Sequence, residues 1–226
     1  MTRVKICGIT NEEDMDICIT EGADALGFVV NYPVPVPWNL TIDEAKELMK
    51  KVPPFVSKVA VVGDSIKTVI DIAKILKPDV IQLHGNESFD TTKKIISEVK
   101  SFGIKVIKAV RFSIETGKPL SKIEDPIGLC YLYKNMGVDA LVLDSATKSM
   151  PAGTGMTFSW KIAAEIRDSL DIPVILAGGL TPKNVYKAIV MVKPFAVDVI
   201  TGVEKNKGKK DPRKVKLFIK EAKRYE

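Results

Sequence analysis

The sequence predicts a single-domain (β/α)8 TIM barrel spanning residues 1–226, and three observations carry that expectation. Eight short runs rich in β-branched residues recur along the chain: Arg3 to Cys7, Ala25 to Val30, Val56 to Val62, Val80 to His84, Lys105 to Val110, Ala140 to Asp144, Pro173 to Ala177 and Phe195 to Ile200. They repeat at roughly 25 to 30 residues, the length of a strand plus a crossover helix. No stretch rich in Pro, Gly or Ser divides the chain, so no second domain is expected.

The segments between the runs carry helix starts. Asn11 is followed by Glu12, Glu13 and Asp14, Thr41 by Glu44, Thr181 by Pro182 and Asp211 by Pro212; each is a cap with acid or proline in the first turn. A doubly wound open sheet is the rival. It would carry a G-x-G-x-x-G fingerprint after its first strand, and Cys7-Gly8-Ile9-Thr10 is not one. Two long connections, Asn31 to Leu40 with three prolines and Arg111 to about Asp125, follow the second and fifth strands, on the face where barrels hold their sites.

Bulk properties exclude several classes of function. With 46% hydrophobic and 27% charged residues, the chain has an ordinary globular composition. No apolar run approaches the ~20 residues of a membrane span, and Arg3 and Lys5 lead directly into acidic helix sequence, so a cytoplasmic protein without a membrane partner is expected. Three cysteines make no disulfide framework, and Cys18 and Cys130 fall on helices as core thiols. A single histidine, His84, argues against a metal site, and no cofactor motif is present. The net charge of +6 is spread without an arginine-rich or aromatic-interleaved patch, so no nucleic-acid partner is expected. Its densest run, Lys205 to Lys210, reads as a solvated loop. A phosphorylated small molecule is a sufficient partner, with monomer and homodimer both left open.

Barrel enzymes place chemistry at the carboxyl ends of their strands. Here those ends carry Cys7, then Gln82 and His84, then Lys108 and Arg111, then Asp144-Ser145, Gly178-Gly179 and Thr201-Gly202. Strand alternation puts Lys5 with Cys7, Gln82 with His84 and Val142 with Asp144 on shared faces, and closure makes the first and last strands neighbours. Lys5 and Asp198 are therefore expected to face each other inside the barrel, below Cys7. Gly178-Gly179 before Leu180-Thr181-Pro182, together with Thr201-Gly202, offers backbone amides for a phosphate in the loops where barrels bind one. A lone cysteine is more often a small buried hydrophobe than a reactive group, and a strand-end aspartate more often a cap. Their positions across one barrel mouth instead make Cys7 and Asp144 a metal-free base and acid.

Taken together, the stretches KICGIT (5–10), GADALGFV (22–29), IQLHG (81–85), VIKAV (106–110), LVLDS (141–145), GTGMTFSW (153–160), LAGGLTPKNV (176–185) and VDVITGVE (197–204) resemble the phosphoribosylanthranilate isomerase family. The resemblance implies an Amadori rearrangement of N-(5′-phosphoribosyl)anthranilate within tryptophan biosynthesis, an aldose-to-ketose isomerisation. It implies Asp144 as the acid that opens the ribose ring and Cys7 as the base that removes the C2′ proton. Asp144 must then hold its proton near neutral pH, and Cys7 is expected to be ionised by nearby positive charge. His84, Gly178, Gly179, Thr201 and Gly202 are the expected substrate contacts. Two positions depart from the family. Trp38 stands where the family has an arginine for the anthranilate carboxylate, leaving Trp38 to stack on the ring and Arg111 to take the carboxylate, and Ile200-Thr201 replaces two serines. Trp38 is also the support for the alternative, an inactive or repurposed phosphosugar-binding barrel, against which stand Cys7 and Asp144. Metal-dependent sugar-phosphate epimerases would need more histidines, and indole-glycerol phosphate synthases a lysine and glutamate pair.

Overall fold

The computed structural model describes residues 1–146 and 158–224. Its first half runs β1 (Arg3–Cys7), α1 (Glu12–Thr20), β2 (Ala25–Val30), β3 (Asn39–Leu40), α2 (Ile42–Met49), β4 (Ser57–Val62), α3 (Ile66–Leu76), β5 (Val80–Leu83), α4 (Phe89–Ser101) and β6 (Lys105–Ser113). The second half runs α5 (Pro126–Asn135), β7 (Ala140–Ala146), α6 (Trp160–Ser169), β8 (Val174–Leu176), α7 (Val185–Val192), β9 (Ala196–Val199), a 3-10 turn (Thr201–Val203), β10 (Glu204–Asn206), β11 (Lys209–Lys210) and α8 (Pro212–Ala222). Strands β1, β2 and β4 to β9 pair in parallel, each with the next, and β9 returns to β1. The eight strands and eight helices form the closed barrel that the repeat predicts.

Alternation divides the strand side chains into two layers. Val4, Ile6, Leu26, Phe28, Ala60, Val62 and their counterparts face outward and form the main core against the helices. Val59, Ile107, Ala109, Ala140, Val142, Ile175 and Ala196 fill the barrel interior. These inward residues are small or branched, as the narrow lumen of an eight-stranded barrel requires. Above them sits a third cluster of Cys7, Val29, Trp38 and Val61, which floors the mouth.

The caps at Asn11, Thr41 and Asp211 form, and Thr41 with Glu44 makes a reciprocal capping box. Thr181 does not start its helix. α7 begins at Val185, while the Thr181 N–H donates to Asn184 Oδ1 at 2.7 Å and the Asn184 amide donates to Gly179 O at 3.0 Å. The side chain of Asn184 thus ties the loop shut ahead of the helix. β6 runs to Ser113, three residues past its expected end, because it stays in register with β7 through Ser113 and Ala146. Lys108 lies on the outer face of that strand, where it pairs with Glu87 at 2.6 Å; it does not belong to the mouth. The run from Lys205 to Lys210 is not a solvated loop either. It builds the β10–β11 hairpin, in which Lys210 is 1% exposed.

Candidate active site

The inward end of β1 is built around one missing side chain. Cys7 stands in register with Gly27 on β2, and a Cβ at Gly27 would lie 2.5 Å from the thiol sulfur. One step below, Lys5 pairs in register with Asp198 on β9, Nζ to Oδ2 2.7 Å, both almost fully buried. This is the contact that parity and closure predict. Removing one partner of such a pair costs about 3–5 kcal/mol, because the other charge is left buried alone.

A cavity of about 270 Å3 opens above this floor, lined by Cys7, His84, Asp144, Gly178, Gly179, Thr201 and Gly202 among others. Seven of the eight expected site residues therefore meet in one space. Arg111 is the eighth. It faces the mouth in register with Asp144, but its guanidinium donates to Asn86 Oδ1 and lines a neighbouring cavity with Glu87 and Lys108.

Asp144 is 7% exposed, and loss of solvation raises its pKa to about 7. The Ser145 N–H on Oδ1, at 2.7 Å, works in the opposite direction but does not prevail. The carboxyl group consequently keeps its proton to a far higher pH than an exposed aspartate does. His84 Nε2 lies 3.5 Å from Asp144 Oδ2, and the Gln82 amide meets His84 Nδ1 at 3.2 Å. Burial and the charges of Arg111 and Lys108 depress the His84 pKa well below its usual range, so the ring is a neutral polar neighbour. Gln82 Oε1, His84 Nε2 and Asp198 Oδ1 are buried without hydrogen-bond partners, and all three residues line the cavity. Such orphaned atoms suit a ligand rich in hydroxyls.

Cys7 departs from expectation. The Lys5 ammonium favours the thiolate, but burial is the larger influence and Asp198 reinforces it, so the pKa of the thiol is raised. At 1% exposure, Cys7 has its thiol held above its usual range by burial. The sequence shows the lysine beside the cysteine but not the depth at which both are buried.

Backbone builds the end of the cavity beside Asp144. Gly178 and Gly179 have φ of +80° and +64°, and a Cβ at Gly178 would sit 2.5 Å from Ser145 N. A Cβ at Gly202 would fall 1.9 Å from Leu180 O, so the 3-10 turn after β9 presses against the loop after β8. Only glycine fits either contact.

Side chains build the part of the lining that the Asn31–Leu40 connection contributes. The Asn31–Leu40 connection is stiffened by three prolines and by Asn39, whose side chain accepts from Tyr32 N and donates to Tyr32 O at 2.8 and 2.9 Å. Tyr32 Oη reaches His84 O at 3.0 Å across the mouth. Trp38 is 6% exposed, packs on Gly8 and donates its indole N–H to Glu204 Oε1 at 2.7 Å. Lys210 Nζ donates to the same Glu204 oxygen at 3.0 Å and to the Cys7 carbonyl at 2.6 Å. Glu204, Lys210 and Tyr32 are site neighbours that the sequence reading missed. The only available signal was the apolar Val203 and acidic Glu204 preceding a lysine run.

Three comparisons bear on this site. A family model described as N-(5′-phosphoribosyl)anthranilate (PRA) isomerase matches residues 4–221. A relative of that name from Methanocella arvoryzae is 40% identical over 222 residues, 98% of each chain. The crystal structure of phosphoribosyl anthranilate isomerase from Thermotoga maritima superposes with a TM-score of 0.82 at 38% identity, covering 99% of each chain. Another structure of the enzyme, in complex with reduced 1-(o-carboxyphenylamino)-1-deoxyribulose 5-phosphate, gives 0.79 at 36% identity and the same coverage. With its barrel closed as theirs are and its sequence matched nearly end to end, the chain belongs to the phosphoribosylanthranilate isomerase family.

Proposed function

We propose that this single-domain barrel performs the family's isomerisation with Asp144 as acid and Cys7 as base, without a metal or cofactor. The observation that carries this reading is that a carboxyl group whose pKa is raised to about 7 and a buried thiol line one cavity. Protonated Asp144 donates to the ribose ring oxygen as the C1′–O bond breaks, leaving a protonated imine between C1′ and the anthranilate nitrogen. That cation acidifies the C2′–H bond and, close to Cys7, favours the form in which the thiol has first released its own proton to solvent, leaving the thiolate that burial alone disfavours. Cys7 takes the C2′ proton, the electron pair forms the C1′=C2′ enolamine, and tautomerisation gives the C2′ ketone.

The substrate phosphate belongs at Gly178, Gly179, Thr201 and Gly202, whose close-packed backbone suits an anion. His84, with Gln82, faces the sugar hydroxyls, and the anthranilate ring lies against Trp38. Arg111 acts on the mouth through its charge, which also works on Asp144 and His84. Among the described residues no helix is long and apolar enough to cross a membrane. A solved relative described as dimeric keeps monomer and homodimer open. The test is the fluorescence of freshly made phosphoribosylanthranilate. Its loss should accelerate with the folded protein, and a rate equal to buffer alone would leave the repurposed barrel as the reading.

A further inference from the structure

At the anthranilate end, the described cations are nearly all committed. Lys5 is held by Asp198, Lys108 faces outward to Glu87 and Lys210 is buried on Glu204, while Arg111 keeps its charge but turns its guanidinium to the neutral Asn86 in the neighbouring cavity. His84 is neutral, and the Trp38 N–H is taken by Glu204. Lys207 remains. It sits at the tip of the β10–β11 hairpin, lines the same cavity as Trp38 and makes no ion pair among the described residues. The tip is held in place: Gly208 takes the left-handed φ of +84° that the turn needs beside Pro37, and its carbonyl accepts from Thr10 Oγ1 at 3.3 Å.

From this we infer that Lys207 supplies the positive charge that meets the carboxylate on the substrate's aromatic ring, making the β10–β11 hairpin a specificity element. The inference rests on the proposed function, because it assumes a ligand with a carboxylated aminobenzene end. An exposed lysine on a pinned turn gives a modest, salt-sensitive attraction, unlike the fixed two-point grip of an arginine.

The experiment is titration calorimetry with two ligands: reduced 1-(o-carboxyphenylamino)-1-deoxyribulose 5-phosphate and the same compound lacking the ring carboxyl. Lys207→Ala should weaken the first by about fivefold, Lys207→Arg should restore it, and the difference should shrink at high salt. Neither variant should change the affinity for the ligand without the carboxyl. Tight binding of the carboxylated ligand to the parent and Lys207→Ala alike overturns the role of Lys207 while leaving the isomerase reading intact. Equal weakening for both ligands also overturns it, as would a parent protein that binds neither, which would take the isomerase reading down as well.

Discussion

Two parts of the cavity lining, one proposed for the substrate phosphate and the other for its aromatic ring, are built of different materials. At the Gly178–Gly202 end the walls are backbone, packed so closely that a single methyl group would collide with Ser145 or Leu180. At the Trp38 end the walls are side chains, fixed by a buried relay from Trp38 through Glu204 and Lys210 to the Cys7 carbonyl. A backbone site admits little variation and recurs with the fold. A side-chain site can exchange an arginine for a tryptophan, provided its neighbours change the route by which charge is met.

If this contrast is right, a methyl group should do more harm at the first end than a large truncation at the second. Gly202→Ala must displace the 3-10 turn, and the loss of about one or two charge-assisted hydrogen bonds should raise KM by roughly tenfold to a hundredfold. Steady-state kinetics with an unchanged KM would mean that the turn does not hold the phosphate. Trp38→Ala removes a stacking surface worth about 0.5–1.5 kcal/mol beyond its burial, so an increase of roughly tenfold in KM is expected, exceeding the change in kcat. A drop confined to kcat would instead tie Trp38 to Cys7 through Lys210, merging the two ends.

A smaller effect distinguishes Asp144, beside the glycine-lined part of the cavity. Folded Asp144 holds its proton up to about pH 7, whereas its ordinary pKa is 3.8. The folded state thus binds the extra proton across that window, and this residue's contribution to stability is lost as pH rises through it. Asp144→Asn removes the dependence. Its melting temperature relative to the parent should therefore climb by about 5 °C between about pH 5 and about pH 7 and level off above. A flat difference would mean that Asp144 is ionised throughout.

The same contrast explains what could be read in advance. The barrel was legible because each strand and cap is a local signal, and Lys5 with Asp198, 193 residues apart, followed from closure and alternation alone. The glycine end was legible because glycine reports backbone constraint directly. The Trp38 end was not: its indole meets Glu204 across 166 residues, through a hairpin whose lysines look like any solvated run. Nor does composition disclose burial depth, which raises the pKa of Asp144 as an acid role requires but raises that of Cys7 as well, against the influence of Lys5. The stretch Gly153 to Thr157, part of the family resemblance, lies outside the described residues.

The acid and base roles are tested most directly by the rate of phosphoribosylanthranilate conversion in Cys7→Ser and Asp144→Asn beside the parent, each shown to be folded and to bind the reduced product analogue. Each substitution should lower kcat by about a hundredfold or more while leaving that binding largely intact. A near-parental kcat in either folded variant would contradict the role assigned to that residue.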